Sequence, residues 1–229
     1  MARRQERGIG IDPTDIMSRR EIADVLADLH KRSKRGRNGH QTMIIFRLAV
    51  GAGLRADEIA SIEIRDLKLA GDRPHIEVRS DVGKGGKARV VPLWWDVGTL
   101  EALTEWRRVR VVEMNAKPCD PVVCVLQARQ APGARSGRIG TRFNRTTIAT
   151  KFKSAIRCLG SERCAQLHTH SGRHTFGSYM VHERGLAAVQ RAMGHADIST
   201  TGLYLHVLPE DLDRRGSVFT MEEAGTRSM

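Results

Sequence analysis

Apolar residues recur at helical spacing through most of this chain, and the main exception is a glycine-rich turn between two strand-like runs. The strand-like runs cover residues 74–79 and 88–93, and residues 82–87 between them carry three glycines and two lysines. This pattern predicts a β-hairpin beside a body of amphipathic helices. The expected fold is therefore α+β and mainly α, with a small antiparallel sheet or hairpin packed on a helical core.

The helical segments begin near residue 18. Ser18 and Glu21 form a capping box ahead of apolar residues at helical spacing, which predicts a first amphipathic helix. An apolar run from His40 predicts a second, buried helix that ends at Gly51 and Gly53. Further helices are predicted over residues 56–61, 96–113, 146–159, 170–181, 187–193 and 199–207.

The charge of the chain favours a polyanionic partner. It has 38 Lys and Arg against 26 Asp and Glu, a formal net charge of +12 at pH 7. Such an excess raises the local concentration of nucleic acid and speeds its encounter. A generically basic protein would have the same composition, so charge alone leaves both interpretations open.

Length and patterning suggest one domain with a tail at each end. The chain of 229 residues can form a single core. Residues 1–13 are charged and aperiodic and are predicted to be a basic arm, and residues 14–208 hold the periodic segments. Residues 209–229 form a polar tail, in which the apolar stretch 218–221 is expected either to dock on a neighbouring subunit or to be disordered.

The sequence also predicts a cytoplasmic location. No apolar run approaches the roughly 20 residues that span a bilayer, and no apolar signal core follows the charged N-terminus. The 4 cysteines match neither zinc-knuckle spacing nor a small secreted framework, which favours reduced thiols. We therefore expect no membrane partner.

Two arginines are candidates for binding a phosphate group. Arg55 follows the glycine turn after the second helix, and Arg173 lies three residues after His170. A guanidinium is a planar fork that makes two parallel charge-assisted hydrogen bonds to phosphate oxygens. Either arginine alone would more often be a surface residue in an ion pair. Together, with further histidines and a tyrosine after Arg173, they favour a site that cleaves a phosphodiester.

Tyr204 is the candidate nucleophile. Its unperturbed pKa is about 10, so only about one molecule in a thousand is phenolate at neutral pH, and it needs a proton acceptor or a positive field. His170 and His195 can exchange a proton near neutrality. Lys84, in the glycine-rich turn, is a candidate acid for the departing sugar oxygen, and Lys87 in the same turn is a candidate contact to a nucleic-acid backbone.

Four motifs resemble those of the tyrosine recombinases, the phage integrase family. Residues 53–59 resemble its Gly-Leu-Arg-x-x-Glu box, residues 83–87 and 91–93 its catalytic hairpin, residues 170–174 its His-x-x-Arg-His box, and residues 194–204 its closing Gly-His to Tyr box. The resemblance covers about residues 14–208. It implies an integrase-type catalytic domain there.

The resemblance also implies a role for each matching residue. The implied catalytic residues are Arg55, Lys84, His170, Arg173, His195 and Tyr204. Glu58 would orient neighbouring cationic groups, and Lys87 and Arg89 would contact DNA.

The implied activity is site-specific recombination of double-stranded DNA, with integration, excision or inversion as the outcome. Tyr204 would attack a strand to leave a 3′-phosphotyrosine and a free 5′-hydroxyl, without a metal ion or any other cofactor. The implied assembly is a homotetramer on paired recombination sites, helped by accessory DNA-bending proteins or a partner recombinase, in the nucleoid.

The chain departs from the family pattern in two places. Ser171 and Gly172 stand where the family usually has Asp-Leu, which predicts a looser entry into the helix that carries Arg173. About 40 residues precede the helix that leads to Arg55, so a separate N-terminal DNA-clamping domain is not expected. The short fimbrial-switch or transposon-borne recombinases are the members that it resembles.

Three other interpretations compete with recombination. His168 and His170 could suggest a metal hydrolase, but Gly172 stands where a His-x-His-x-Asp box would need its carboxylate. A type IB topoisomerase shares the chemistry but lacks the closing Gly-His to Tyr box. A DNA-binding regulator on the same fold would not need all six catalytic positions.

Overall fold

The computed structural model describes residues 11–83, 85–127 and 138–206. Its helices are α1 (Arg19–Lys34), α2 (Arg37–Val50), α3 (Ala56–Ser61), α4 (Val97–Arg108), α5 (Arg145–Ala155), α6 (Ser161–Gln166), α7 (Thr169–Arg184), α8 (Leu186–Met193) and α9 (Ile198–Gly202). Its strands are β1 (Leu67–Lys68), β2 (His75–Val78) and β3 (Arg89–Pro92). The mainly helical α+β class is confirmed.

Some predicted features lie outside the described residues. They are most of the N-terminal arm, Lys84, and the whole C-terminal tail of residues 209–229, since the described residues end at residue 206. The domain boundaries at residues 14 and 208 therefore stay a prediction.

The central helix is α2. Every residue from Gln41 to Val50 is buried, as the all-round apolar pattern predicted. Helices α1, α4, α5 and α7 pack around it. The stacked rings of Phe46 and Phe152, with centroids 6.0 Å apart, join α2 to α5. The C-terminal end of α2 leads through Gly53 into α3, so the core fixes the position of the turn that carries Arg55.

Helix α1 begins at the predicted capping box. The Ser18 hydroxyl accepts a hydrogen bond from the Glu21 amide at 3.2 Å, and the Glu21 carboxylate accepts one from the Ser18 amide at 2.8 Å. Its buried residues are Ile22, Val25, Leu26 and Leu29, the four that the helical spacing predicted.

The three strands form an antiparallel sheet in the order β1-β2-β3. β2 and β3 form the predicted hairpin, with Val78 opposite Arg89 and His75 opposite Pro92. The two-residue strand β1 was not predicted, because two residues are too short to show alternation. β3 packs on α8, which brings Arg89 beside the end of that helix.

Several helical segments differ from the prediction. The helices predicted over residues 146–159 and 199–207 are α-helical only to Ala155 and Gly202, and each is followed by a 3₁₀ turn. The helix predicted over residues 96–113 is α-helical only to Arg108 and continues as a π-helical turn, Val109–Glu113. Helix α6 falls in a stretch predicted to be a loop, because its six residues include none that is buried and so carry no apolar period. Within the described ranges, no helix is both long enough and apolar enough to cross a membrane.

Candidate active site

Arg173 is the most deeply buried of the predicted phosphate-binding residues. Its guanidinium donates hydrogen bonds to the carbonyl oxygens of Gly53 and Met193, both at 2.6 Å, and lies 3.0 Å from Nε2 of His195. Burial and then the charge of Arg55 lower the pKa of Arg173, yet it stays protonated at neutral pH. Arg173 thus ties the turn after α2 to the end of α8.

Arg55 is held at the start of α3 by Glu58. The Glu58 carboxylate accepts hydrogen bonds from the Arg55 amide at 2.8 Å and from its guanidinium at 3.1 Å. The turn before it needs glycine, since Gly53 has φ of 62° and a Cβ there would lie 2.4 Å from the Phe176 ring. The Arg55 side chain remains 23 % exposed, so its guanidinium is accessible from solvent.

Glu58 and Arg89 form a buried bidentate ion pair. The two terminal guanidinium nitrogens of Arg89 each donate to one carboxylate oxygen of Glu58 at 2.7 Å, and its Nε donates to the Ala192 carbonyl oxygen at 2.8 Å. Burial alone raises the pKa of Glu58, but the hydrogen bonds and charge of Arg89 lower it to about 2. The family resemblance implies that Arg89 contacts DNA, whereas in the structure its guanidinium faces the protein. A direct DNA contact by Arg89 stays a prediction.

Gly194 allows Arg89 to approach the site. It ends α8 in the left-handed conformation with φ of 66°, and a Cβ there would lie 2.7 Å from Cδ of Arg89. Any side chain would therefore be strained and would push against the Glu58–Arg89 pair. The turn at Gly194 also directs His195 toward Arg173.

Both ring nitrogens of His195 have partners. Its Nε2 faces the guanidinium of Arg173, which can only donate, so Nε2 accepts. Its Nδ1 then carries the hydrogen and donates to the Thr201 hydroxyl at 2.9 Å. Burial and the charge of Arg173 lower the pKa of His195 to about 4, so it is neutral at pH 7.

Tyr204 lies against this network in a 3₁₀ turn, Leu203–His206. Its ring stacks on that of His195, with centroids 6.1 Å apart and planes inclined by 7°. It is 3 % exposed, and a Cβ on Gly177 would lie 2.7 Å from its ring, so α7 packs tightly against it. Burial raises the pKa of Tyr204, and the charges of Arg173 and Arg55 oppose the rise.

The Tyr204 hydroxyl lies 3.2 Å from Nδ1 of His174, a residue that is not among the predicted catalytic residues. His174 follows Arg173 on α7 and lies one helical turn after His170, whose ring centroid is 4.3 Å from its own. The signal in the sequence was this spacing of four, which places two histidines on one face of a helix.

Two of the other predicted residues, His170 and Lys87, lie at the edge of the site. His170 is exposed near the start of α7, and desolvation together with Arg173 lowers its pKa. Lys87 is exposed at the end of the hairpin and lines an open cleft of about 650 Å³ between β3 and α8, which reaches His195. Lys84 lies outside the described residues, so its predicted role stays a prediction.

Gly172 brings α7 close to α2. A Cβ at Gly172 would lie 3.1 Å from side-chain atoms of both Ala49 and Val50. His168 caps the helix by accepting a hydrogen bond from the Ser171 amide at 3.3 Å. The entry into α7 is therefore closely packed, contrary to the looser entry expected from the Ser171-Gly172 departure.

Comparison with known proteins shows the family to which the chain belongs. The model of the phage integrase family matches residues 18–211, and the chain belongs to that family. It is 34% identical over 165 residues to a tyrosine recombinase XerC from Pseudomonas entomophila (strain L48), and 32% identical over 163 residues to one from Shewanella amazonensis. Those matches cover 71% and 70% of this chain and 47% of each relative, so the chain spans about half the length of the curated relatives it matches.

Solved structures show the same fold. A XerA recombinase superposes with a TM-score of 0.64 at 22% identity, over 84% of this chain and 60% of the other. A XerH site-specific recombinase bound to its palindromic difH substrate in a post-cleavage complex gives 0.62 at 21% identity, over 85% and 50%. At these identities the likeness concerns the fold alone.

Proposed function

We propose that the protein is a tyrosine-type site-specific recombinase that cleaves and rejoins double-stranded DNA through a 3′-phosphotyrosine. The observation that carries the proposal is the network that joins Tyr204, His195 and Arg173. The nucleophile candidate stacks on a neutral histidine that is hydrogen-bonded to a buried arginine. Membership of the phage integrase family supports the same assignment.

In the proposed reaction Arg55 and Arg173 bind the scissile phosphate and stabilise the charge that develops on its oxygens. The Tyr204 oxygen attacks phosphorus as its phenolic proton passes to a base in the site, and the bond from phosphorus to the 5′ oxygen breaks. The leaving oxygen takes a proton from an acid, for which Lys84 is the candidate. A 5′-hydroxyl from the partner duplex then attacks the phosphotyrosine and restores the phosphodiester. Glu58 holds Arg55 in place and keeps Arg89 paired.

The same proposal includes the assembly of the protein, its partners and its location in the cell. They include a homotetramer on paired sites, accessory DNA-bending proteins or a partner recombinase, a DNA contact by Lys87, and a place in the nucleoid. No cofactor takes part in the proposed steps, since the energy of the broken bond is kept in the phosphotyrosine ester.

The test is covalent capture of DNA. The purified protein is mixed with sheared genomic DNA from its host, DNA that stays attached after a denaturing wash is sequenced, and the enriched sequence is used as a defined substrate. The two tyrosines of the chain provide a matched pair. Tyr204→Phe is expected to abolish capture, and Tyr179→Phe, which removes only a hydroxyl that donates to the Met17 carbonyl oxygen at 3.2 Å, is expected to retain it.

Two results would contradict the proposal. One is a denaturant-resistant adduct formed by Tyr204→Phe, and the other is the absence of any adduct with the unaltered protein. Relaxation of any supercoiled plasmid, without enrichment of a sequence, would favour a type IB topoisomerase instead.

A further inference from the structure

The hydroxyl of Tyr204 has one histidine nitrogen at hydrogen-bonding distance among the described residues, and it is Nδ1 of His174 at 3.2 Å. His195 stacks face to face on the same ring, and its two nitrogens are bonded to Arg173 and Thr201. The ring of His170 packs on His174 instead, edge to face. The three histidines around Tyr204 therefore make different contacts. His174 is hydrogen-bonded to its hydroxyl, His195 stacks on its ring, and His170 packs on His174.

The protonation states set the direction of this hydrogen bond. Burial, and then the neighbouring His170 and His168, lower the pKa of His174 to about 4, so its ring is neutral at pH 7. The raised pKa of Tyr204 keeps its hydroxyl protonated. The hydroxyl therefore donates and Nδ1 accepts, which leaves the ring hydrogen of His174 on Nε2. A proton that leaves Tyr204 along this bond arrives on His174.

We propose that His174 is a catalytic residue that takes the phenolic proton of Tyr204 as the phenolic oxygen attacks the phosphodiester. The O–H bond of Tyr204 breaks and an N–H bond forms at Nδ1 of His174, while the new bond from oxygen to phosphorus replaces the bond to the 5′ oxygen. The leaving oxygen takes its proton from a separate acid. In the rejoining step the His174 imidazolium returns the proton to the departing phenolate. This inference rests on the proposed function and names the base for the same site.

The charges around His174 make its pKa sensitive to a bound substrate. Arg173, His170 and His195 all disfavour a positive charge on His174. A DNA phosphate bound by Arg55 and Arg173 would bring negative charge into the same space and raise the pKa of His174. Proton transfer is then favoured when the substrate is in place.

The position of His174 on α7 supports this role. It directly follows Arg173, and most residues of α7 are buried. One helix therefore holds both a proposed phosphate ligand and the partner of the nucleophile, so the two move as one unit. Such a fixed arrangement is what proton transfer at a defined distance requires.

The main test compares His174→Asn and His174→Ala with the unaltered protein on the captured substrate. The asparagine oxygen can accept the Tyr204 hydrogen bond but does not take the proton at neutral pH. Both variants are expected to slow single-turnover capture by about 10²–10⁴-fold at pH 7, with DNA affinity unchanged. The loss is expected to shrink as the pH rises toward the pKa of Tyr204, and added imidazole is expected to restore part of the His174→Ala rate.

The control is His182→Ala, which removes an exposed histidine from the last turn of the same helix and is expected to leave capture unchanged. A capture rate of His174→Asn within about threefold of the unaltered protein would overturn the inference. So would a loss that is independent of pH and insensitive to imidazole, because that pattern indicates a purely structural contact.

A second measurement separates the base from the acid. A substrate with sulfur in place of the 5′ bridging oxygen has a leaving group that needs no proton. The His174 variants are expected to stay slow on it, and a rate restored to that of the unaltered protein would assign His174 to the leaving group and refute the inference. Capture by the unaltered protein in the same experiment keeps the proposed function standing whichever way His174 behaves.

Discussion

Arginines stand in opposite settings at the two ends of α2. At its C-terminal end, Arg173 and Arg89 are buried, and carbonyl or carboxylate oxygens hold their guanidinium groups. At its N-terminal end, about 20 Å away for a 14-residue helix, Arg35, Arg37 and Arg157 are exposed around an open cleft of about 730 Å³. The same residue type is thus fixed in one place and solvated in the other.

The difference indicates how the arginines of each region act on a charged substrate. A buried arginine is oriented before a substrate arrives, so little reorganisation is needed when charge develops beside it. An exposed arginine adds to the long-range field of a chain with net charge +12, and salt screens that contribution. We therefore expect single substitutions to have large effects among the buried arginines and their partners, and small effects among the exposed arginines.

Among the substitutions, the largest expected effect on stability is on the buried Glu58–Arg89 pair. Glu58→Gln removes the negative charge but not the shape, so Arg89 stays buried beside a neutral amide. We expect the free energy of unfolding to fall by about 3–5 kcal/mol, measured by urea denaturation, because one buried charge is left without its counter-ion.

The matched control for that change is Glu105→Gln. Glu105 and Arg108 form an exposed pair at 2.8 Å with both side chains 50 % accessible. Loss of an exposed pair costs under about 1 kcal/mol. Equal losses in Glu58→Gln and Glu105→Gln would contradict the distinction between the buried and exposed settings.

Whether the sequence predicted a feature of the structure depends on how far apart in the chain the contacting residues are. The capping box of α1 and the bounds of α3 are local, and both were predicted correctly. The burial of Arg89 was not predicted, since it depends on Glu58, 31 positions away, and on the Ala192 carbonyl oxygen, 103 positions away. In the sequence Arg89 is one more cation after a basic turn.

The role of His174 was missed for the same reason. Its partner is Tyr204, 30 positions later, and only the packing of the last 3₁₀ turn on α7 brings the two side chains together. The motifs of the family marked the residues on either side of this contact. They carried no information on which histidine touches the hydroxyl.

Stability is also expected to depend on pH. The pKa values of His174 and His195 are about 4, below their ordinary value of 6.5, so the unfolded chain binds more protons than the folded one between these values. Stability is therefore complete above about pH 6.5 and is lost progressively as the pH falls toward 4. Urea denaturation across this window measures the loss.

His174→Asn is expected to make that loss smaller, because one of the two titrating rings is gone. His182→Ala, which removes an exposed ring from the same helix, is expected to leave it unchanged. A fall in stability that His174→Asn does not alter would show that the cationic surroundings of the site do not hold this histidine neutral.

The smallest effect is expected in the basic cleft. Within the described part of the chain, neither Arg35 nor Arg157 has an ion-pair partner, so the double change Arg35→Ala with Arg157→Ala should alter the free energy of unfolding by less than about 0.5 kcal/mol. DNA affinity should weaken slightly at low salt, and the difference should vanish near 1 M salt, where the Debye length is about 3 Å. A weakening that changes the salt dependence by about two phosphate contacts would instead place DNA directly in the cleft, and the exposed arginines would then be as specific in function as the buried ones.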